Sequence, residues 1–189
     1  LLKASFIPPS EIRNLRDLTR YRKKMVQNST AEHNRFEKIL QDANFKLSNV
    51  ISDIFGKSGR LLIDAIKNGN DNFEELLALC HGSIRKKREI LKESLQGKLT
   101  PHHKFMLDAI QFNIDSIQNK IALIDQKIDS LCLPYNEEIS LLQTIPGINR
   151  ISSAVWVAEM GVDMNIFPTA QHLASWAGIC PGNNESAGK

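Results

Sequence analysis

The sequence predicts an all-α protein, built of long helices with an antiparallel coiled-coil hairpin and followed by a small helix-hairpin-helix-like domain. Three observations carry this. No segment reads as a pair of strands, and Leu107, Ile110, Ile114, Ile117, Ile121, Ile124, Ile128 and Leu131 alternate spacings of three and four without a break. The run Thr144-Ile145-Pro146-Gly147-Ile148-Asn149-Arg150 then separates two short helical patterns.

The first helix starts at Pro8-Pro9-Ser10-Glu11, where two prolines block entry from upstream, Ser10 serves as N-cap and an acid sits in the first turn. It is expected to run to about Ala43. At 100° per residue Ile12, Leu15, Leu18, Met25 and Val26 share one face, and Arg13, Arg16, Arg20, Lys23 and Lys24 fall on a neighbouring arc. Arg22 points into the apolar face, so it either pairs with a buried acid or reaches a partner. Residues 44–57 form a short apolar stretch around Val50, Ile51, Ile54 and Phe55, after which Ser58 and Asp71 cap two further helices ending at Gly69 and Gly82. A helix from Ser83 closes at Gly97, and Thr100-Pro101 opens the long one that carries the seam. The short loop makes these two antiparallel. The helix from Ser83 covers only about half of a seam roughly 45 Å long, so Ile117 to Leu131 need a second copy of the chain or another long helix of the same chain. Pro134 ends the seam helix, Asn136 caps a short one, and a last helix runs through Ala154, Val155, Val157 and Ala158 to Gly161.

At 189 residues and 42% hydrophobic content the chain buries a real core, and its net charge of +3 is too mild to identify a partner. Distribution says more. Residues 1–40 hold nine Lys/Arg against Glu11, Asp17, Glu32 and Glu37, whereas residues 133–189 hold only Arg150 and Lys189 against five acids. Cys80, Cys132 and Cys180 lie far apart with no CxxC pair, which fits neither a disulfide framework nor a zinc site and makes a reducing cytoplasm the expected compartment. No apolar run approaches a membrane span and no signal peptide is present, so no membrane partner is expected. Without an initiator Met, and with a Gly/Asn/Ser-rich final stretch, both ends read as cut.

The Ile145-Pro146-Gly147 turn between helices admits two readings. In one, the glycine permits a tight turn whose free N–H groups, with Asn149, Arg150 and the next helix's N-terminus, cradle a phosphate regardless of sequence. In the other it is a plain packing corner. The stripe Arg13, Arg16, Arg20, Lys23, Lys24 likewise either follows a nucleic-acid backbone or is a solvated face. The Arg85 to Arg88 run covers every side of a helix and reads as solvent-facing. Phe55-Gly56-Lys57-Ser58 is not a phosphate-binding loop, because Ile51 stands where the first glycine belongs and no strand precedes it. His102 and His103 are adjacent, point apart and have no companion ligands for a metal. Ser186 lies among small residues with no histidine nearby to activate it, and on those grounds alone is an ordinary loop serine.

Five blocks in order, Leu142-Gln143-Thr144-Ile145-Pro146-Gly147-Ile148, Ala158-Glu159-Met160-Gly161, Phe167-Pro168-Thr169-Ala170, Leu173-Ala174-Ser175-Trp176-Ala177-Gly178 with Pro181-Gly182, and Ser186-Ala187-Gly188-Lys189, resemble the carboxy-terminal domain of insertion-sequence 110 family transposases. Residues 2–9 and 12–22 resemble the end of that family's amino-terminal domain, and Ser52-Asp53-Ile54 with Gly56 and Ser58-Gly59 its middle region. The resemblance implies three segments: residues 1–45 as the tail of an RNase-H-like domain, 46–132 as a helical and coiled-coil region that joins protomers, and 133–189 as part of the carboxy-terminal domain. It implies a DNA recombinase that moves an insertion sequence by strand exchange guided by a structured RNA. Four acids of the first domain would bind Mg2+, and Ser186 matches the serine that attacks DNA, the metal then doing the work of the missing histidine. The acids have no match here, since Asp53 and Asp64 lie in the wrong region, so this stretch is expected to bind no magnesium and not to cut DNA alone. The rival readings are a non-catalytic helical module for DNA or RNA binding and dimerisation, and a coiled-coil scaffold in which neither basic stripe nor hairpin matters.

Overall fold

The structure, a computed structural model, describes residues 9–177, whose regular structure is helical, with no strand among them. In chain order the helices are α1 (Ser10–Asp42), α2 (Lys57–Lys67), α3 (Phe73–Ala78), α4 (Gly82–Arg85), α5 (Arg88–Ser94), α6 (Pro101–Cys132), α7 (Asn136–Gln143), α8 (Arg150–Met160) and α9 (Ala170–Trp176). Short 3-10 turns occupy Leu47–Asn49, Leu133–Tyr135 and Met164–Ile166. The expected all-α class is what is found. Among the described residues no helix is long and apolar enough to cross a membrane.

Two compact units form, one from residues 23–123 and one from residues up to 22 together with those from 124 onward. Within residues 23–123 the core gathers Phe36 and Leu40 of α1, Leu62 of α2, Leu91 of α5, and Leu107 and Ile114 of α6. The seam of α6 is therefore a real one, and in this unit α1 contributes its lining. Thr100 and His103 start α6 with a reciprocal cap: the Thr100 hydroxyl accepts from the His103 amide at 3.2 Å, and the His103 ring accepts from the Thr100 amide at 3.3 Å. Pro101 fills the first helical position, where its missing N–H costs nothing.

Several expectations change in detail. The helix expected over 83–96 is broken between Arg85 and Arg88 into α4 and α5, so the hairpin arm beside α6 is short. Pro9, not Ser10, holds the N-cap position of α1, its carbonyl accepting from the Arg13 amide at 3.0 Å. Asn72 rather than Asp71 caps α3, and Gly56 rather than Ser58 precedes α2. The Ser58 hydroxyl instead accepts from the His81 amide at 3.0 Å. Tyr135, not Asn136, precedes α7. Val26 is 40% exposed, and the buried stripe of α1 continues through Ser29 and Glu32 instead. Gly97 marks a close approach of two segments: a Cβ there would strike the Ala43 carbonyl and the Phe45 ring, while the Lys98 amide donates to that same carbonyl at 3.0 Å.

In the other unit Ile12 and Leu15 of α1, Ile124 and Ile128 of α6, Ile139 of α7, and Ala154, Val157 and Ala158 of α8 are buried. Arg22 resolves the question raised by its position on an apolar face. Its guanidinium forms a two-pronged ion pair with Asp125 of α6, the second contact at 3.1 Å, so the half-buried charge has its partner within the chain.

The opposite edge of α6 is not covered: Phe105, Phe112 and Leu123 stand 69%, 78% and 65% exposed. Replacing Ile114 by alanine should cost roughly 2–5 kcal/mol, as large core truncations do, whereas Phe112→Ser should stay within about 0.5 kcal/mol in dilute protein. Urea denaturation of both variants checks this, and equal losses would mean the two faces are misassigned.

His33 adds a pH term. Its ring packs on Phe55 with centroids 4.1 Å apart and its Nε2 has no hydrogen-bond partner, so burial pushes its pKa below the ordinary 6.5, Asp53 opposing and Arg60 reinforcing the shift. The unfolded ring takes a proton more readily than the folded one, so this contribution is complete above pH about 6.5 and is lost as pH falls below it. His33→Phe should flatten that part of the stability profile in denaturation titrations. An unchanged slope would assign it to other groups.

Candidate nucleic-acid interface

Two features of the sequence point to nucleic acid: the basic face of α1 and the turn between α7 and α8. In the turn, the Ile148 amide donates to the Ile145 carbonyl at 3.1 Å, and Gly147 has φ of 89°, a conformation that disfavours any side chain, with open space where a Cβ would be. Asn149 caps α8, its side-chain oxygen accepting from the Ser152 amide at 2.9 Å. Ser153 is fully buried and its hydroxyl donates to the Asn149 carbonyl at 3.1 Å, fixing the helix start against the core. Among the described residues the amides of Gly147, Arg150 and Ile151 have no acceptor, so the turn and the first turn of α8 present donors outward. The Asn149 side chain, however, is spent on the cap. Arg150 is held by Asp129 of α6 at 2.6 Å, an exposed pair whose hydrogen bond raises the arginine's pKa further.

The basic face of α1 is divided by what its members touch. Arg16 turns its guanidinium onto the end of α8, donating from Nε to the Ala158 carbonyl at 2.9 Å and from Nη2 to the Glu159 carbonyl at 3.0 Å. Arg20 grips the Glu159 carboxylate with two bonds of 2.8 Å each, which raise its pKa further. Arg16 also lies 3.4 Å from that carboxylate. These two residues are therefore not open to a phosphate: they satisfy carbonyls that a helix end leaves unpaired and neutralise an acid placed at the negative end of the dipole. Arg13, Lys23 and Lys24 remain exposed, with no partner among the described residues.

The same division holds in the run at 85–88, expected to face solvent. Arg85 donates to the Ala78 and Cys80 carbonyls at 2.6 and 2.8 Å, capping the end of α3, and Arg88 pairs with Glu74 while stacking 5.0 Å over the Phe73 ring. Sequence reading passed over Glu159, though an uncompensated acid in the last turn of a helix is a signal that cations will be drawn there. It also passed over the slot of about 430 Å³ between α8 and α9, lined by Trp156, Met160, Leu173 and Trp176. Ser186, with Gly178, Pro181 and Gly182, lies outside the described residues. Among those described, no group of three or more His, Cys, Asp or Glu is placed to hold a metal ion.

Comparison with known proteins gives three findings. Residues 139–189 match the family model described as the transposase IS116/IS110/IS902 family. Pilin gene-inverting proteins of Moraxella bovis and Moraxella lacunata are each 35% identical over 121 residues, covering 62% of this chain and 36% of their own. The chain thus spans a little over a third of the length of the curated relatives it matches. No solved structure matches.

Truncating Arg16 should hurt the fold more than truncating Arg20, because Arg16 is the more buried and leaves two carbonyls unpaired. Arg16→Ala is expected to cost about 1.5–3 kcal/mol, the range for bonds to a charged group, and Arg20→Ala clearly less. Thermal denaturation of the two variants decides the order. A larger loss for Arg20 would place the stabilisation in the exposed ion pair.

Proposed function

We propose, for a chain whose residues 139–189 match the IS116/IS110/IS902 transposase family, that it is part of a DNA recombinase and grips DNA through the α7–α8 turn and Arg13 of α1. The observation that carries this is the coincidence of the family match with a turn whose amides face outward. The relatives' name, pilin gene-inverting protein, is also that of a DNA rearrangement. The turn donates to a backbone phosphate through the amides of Gly147, Arg150 and Ile151, and Arg13 adds charge without sequence preference. Arg16, Arg20 and Arg150 hold the fold instead.

In this reading Ser186 is the nucleophile toward a phosphodiester, by its match to the family serine. The described residues do not fit the family's magnesium, for they gather no metal-binding set. We therefore read this stretch as non-cutting by itself, the acids being supplied by other protein. A structured guide RNA is a further partner of the whole recombinase, and the cytoplasm its compartment. Oligomer formation follows from α6, but through a different face from the isoleucine seam. Phe105, Ala109, Phe112, Ser116, Asn119 and Leu123 repeat at spacings of four and three along its exposed edge, the register with which a second copy of α6 would pair.

Anisotropy of labelled duplex DNA at roughly 50 and 200 mM salt tests the DNA reading, since each phosphate contact contributes about 0.9 to the log-log slope. Replacing Arg13 by glutamine should lower the slope by up to about one, while Arg20→Gln should leave it unchanged. Salt-independent binding, or an equal effect from Arg20→Gln, contradicts the proposal.

A further inference from the structure

In the unit that holds the residues from 124 onward, the first turn of α8 has no acid of its own, although among the described residues the free amides of Gly147, Arg150 and Ile151 make that end of the helix positive. The acid comes from another element. Asp129 belongs to the last turn of α6, where a carboxylate meets the negative end of its own helix dipole and the turn holds no cation to offset it. It is placed badly for α6 and well for α8. Its Oδ1 accepts from Nε of Arg150 at 2.6 Å, and Arg150 both opens α8 and carries one of the free amides. One hydrogen bond therefore sets a carboxylate within an arginine side chain's length of the turn. The pair is open to water, with side chains 41% and 52% exposed, and it uses only Nε, the Nη groups having no partner among the described residues. Exposed pairs of this kind are held weakly and exchange partners readily. Arg150 is also the one Lys or Arg in residues 133–177, so the charge this pair ties up is the charge that stretch has.

We propose that Asp129 is an internal stand-in for phosphate at the α7–α8 turn: in the free chain it holds the Arg150 guanidinium, and DNA binds here by exchanging that carboxylate for one of its own phosphates. The inference rests on the turn being a DNA contact, and adds how that contact is regulated. Arg150 serves the fold before the exchange and the DNA after it. Asp129 opposes binding in two ways, by neutralising the cation and by repelling a phosphate that approaches the amides. The guanidinium fork fits carboxylate and phosphate alike, so geometry does not decide between them. Number decides: a lone phosphate has to displace a tethered carboxylate, whereas on a duplex the neighbouring phosphates add their own contacts to the same event. The pair thus sets a threshold that favours a polyanion. A pair that only braced the fold would act in the opposite direction, since its loss would loosen the turn and weaken DNA binding.

The test compares binding of labelled duplex DNA, at roughly 50 and 200 mM salt, by the wild-type chain, Asp129→Asn, Arg150→Gln, the double variant, and Glu137→Gln, which removes an exposed acid of α7 and changes the net charge equally. Asp129→Asn should bind at least about threefold more tightly and steepen the log-log salt slope by up to about 0.9, the worth of one phosphate contact. Glu137→Gln should change affinity by less than about 1.5-fold, and so should Asp129→Asn when it is made on top of Arg150→Gln, because no cation is then released. Should Asp129→Asn fail to fold, Asp129→Ser takes its place and is held to the same outcomes. Weaker binding by Asp129→Asn than by the wild type, a gain no larger than that of Glu137→Gln, or a gain that survives Arg150→Gln overturns the exchange and leaves the DNA reading intact. Salt-dependent binding by Asp129→Asn where the wild type shows none sustains it. Absence of DNA binding by every one of these proteins removes the DNA reading and the exchange with it.

Discussion

The isoleucine seam of α6 is closed by its own chain, and that closure decides which surfaces of the helix are left for other partners. A 32-residue helix with an apolar row along one side has to bury that row somewhere. Leu107 and Ile114 are buried in one cluster with Phe36 and Leu40 in one unit, and Ile124 and Ile128 are buried in the other, where Arg22 of α1 clasps Asp125 of α6. With this row satisfied internally, α6 has its opposite edge left for a partner. The regular spacing of Phe105, Phe112 and Leu123 there is a second pattern that the stronger isoleucine signal hides.

A second constraint is how the cations are used. Among the described residues, arginines are tied inward: Arg16 and Arg85 each cap the carbonyls at a helix end, Arg20, Arg22, Arg35, Arg88 and Arg150 pair with acids, and Arg60 donates to the Phe55 carbonyl. Arg13 is the exception. The planar five-donor guanidinium suits such forked contacts, whereas the lysine ammonium is content with water until an anion arrives. The cations left without a partner among the described residues are therefore mostly lysines.

These two facts set how much was legible in the sequence. The length of α1, the Thr100-Pro101 start and Cys132 end of α6, the Gly147 turn and the Gly161 stop were readable, because each is set by local chemistry: a cap, a proline, a glycine with positive φ, or a repeat of three and four. The partner of the seam was not, because two long helices in one chain and two copies of one helix leave the same periodic trace. The break between Arg85 and Arg88 was hidden too, since every residue there is tolerated in a helix and the cause is tertiary: Arg85 folds back on α3. Likewise nothing in the basic stripe shows the loss of Arg16 and Arg20 to Glu159, a residue 139 positions away from Arg20.

The most direct measurement is a charge-exchange cycle at the Arg22–Asp125 pair, followed by urea denaturation across a hundredfold range of protein concentration. Arg22→Asp and Asp125→Arg should each destabilise the chain, the double exchange should recover most of the loss, and that recovery should persist unchanged on dilution. A recovery that disappears as the protein is diluted would show that the acid is met by an arginine from another molecule, and that α6 is not closed within its own chain.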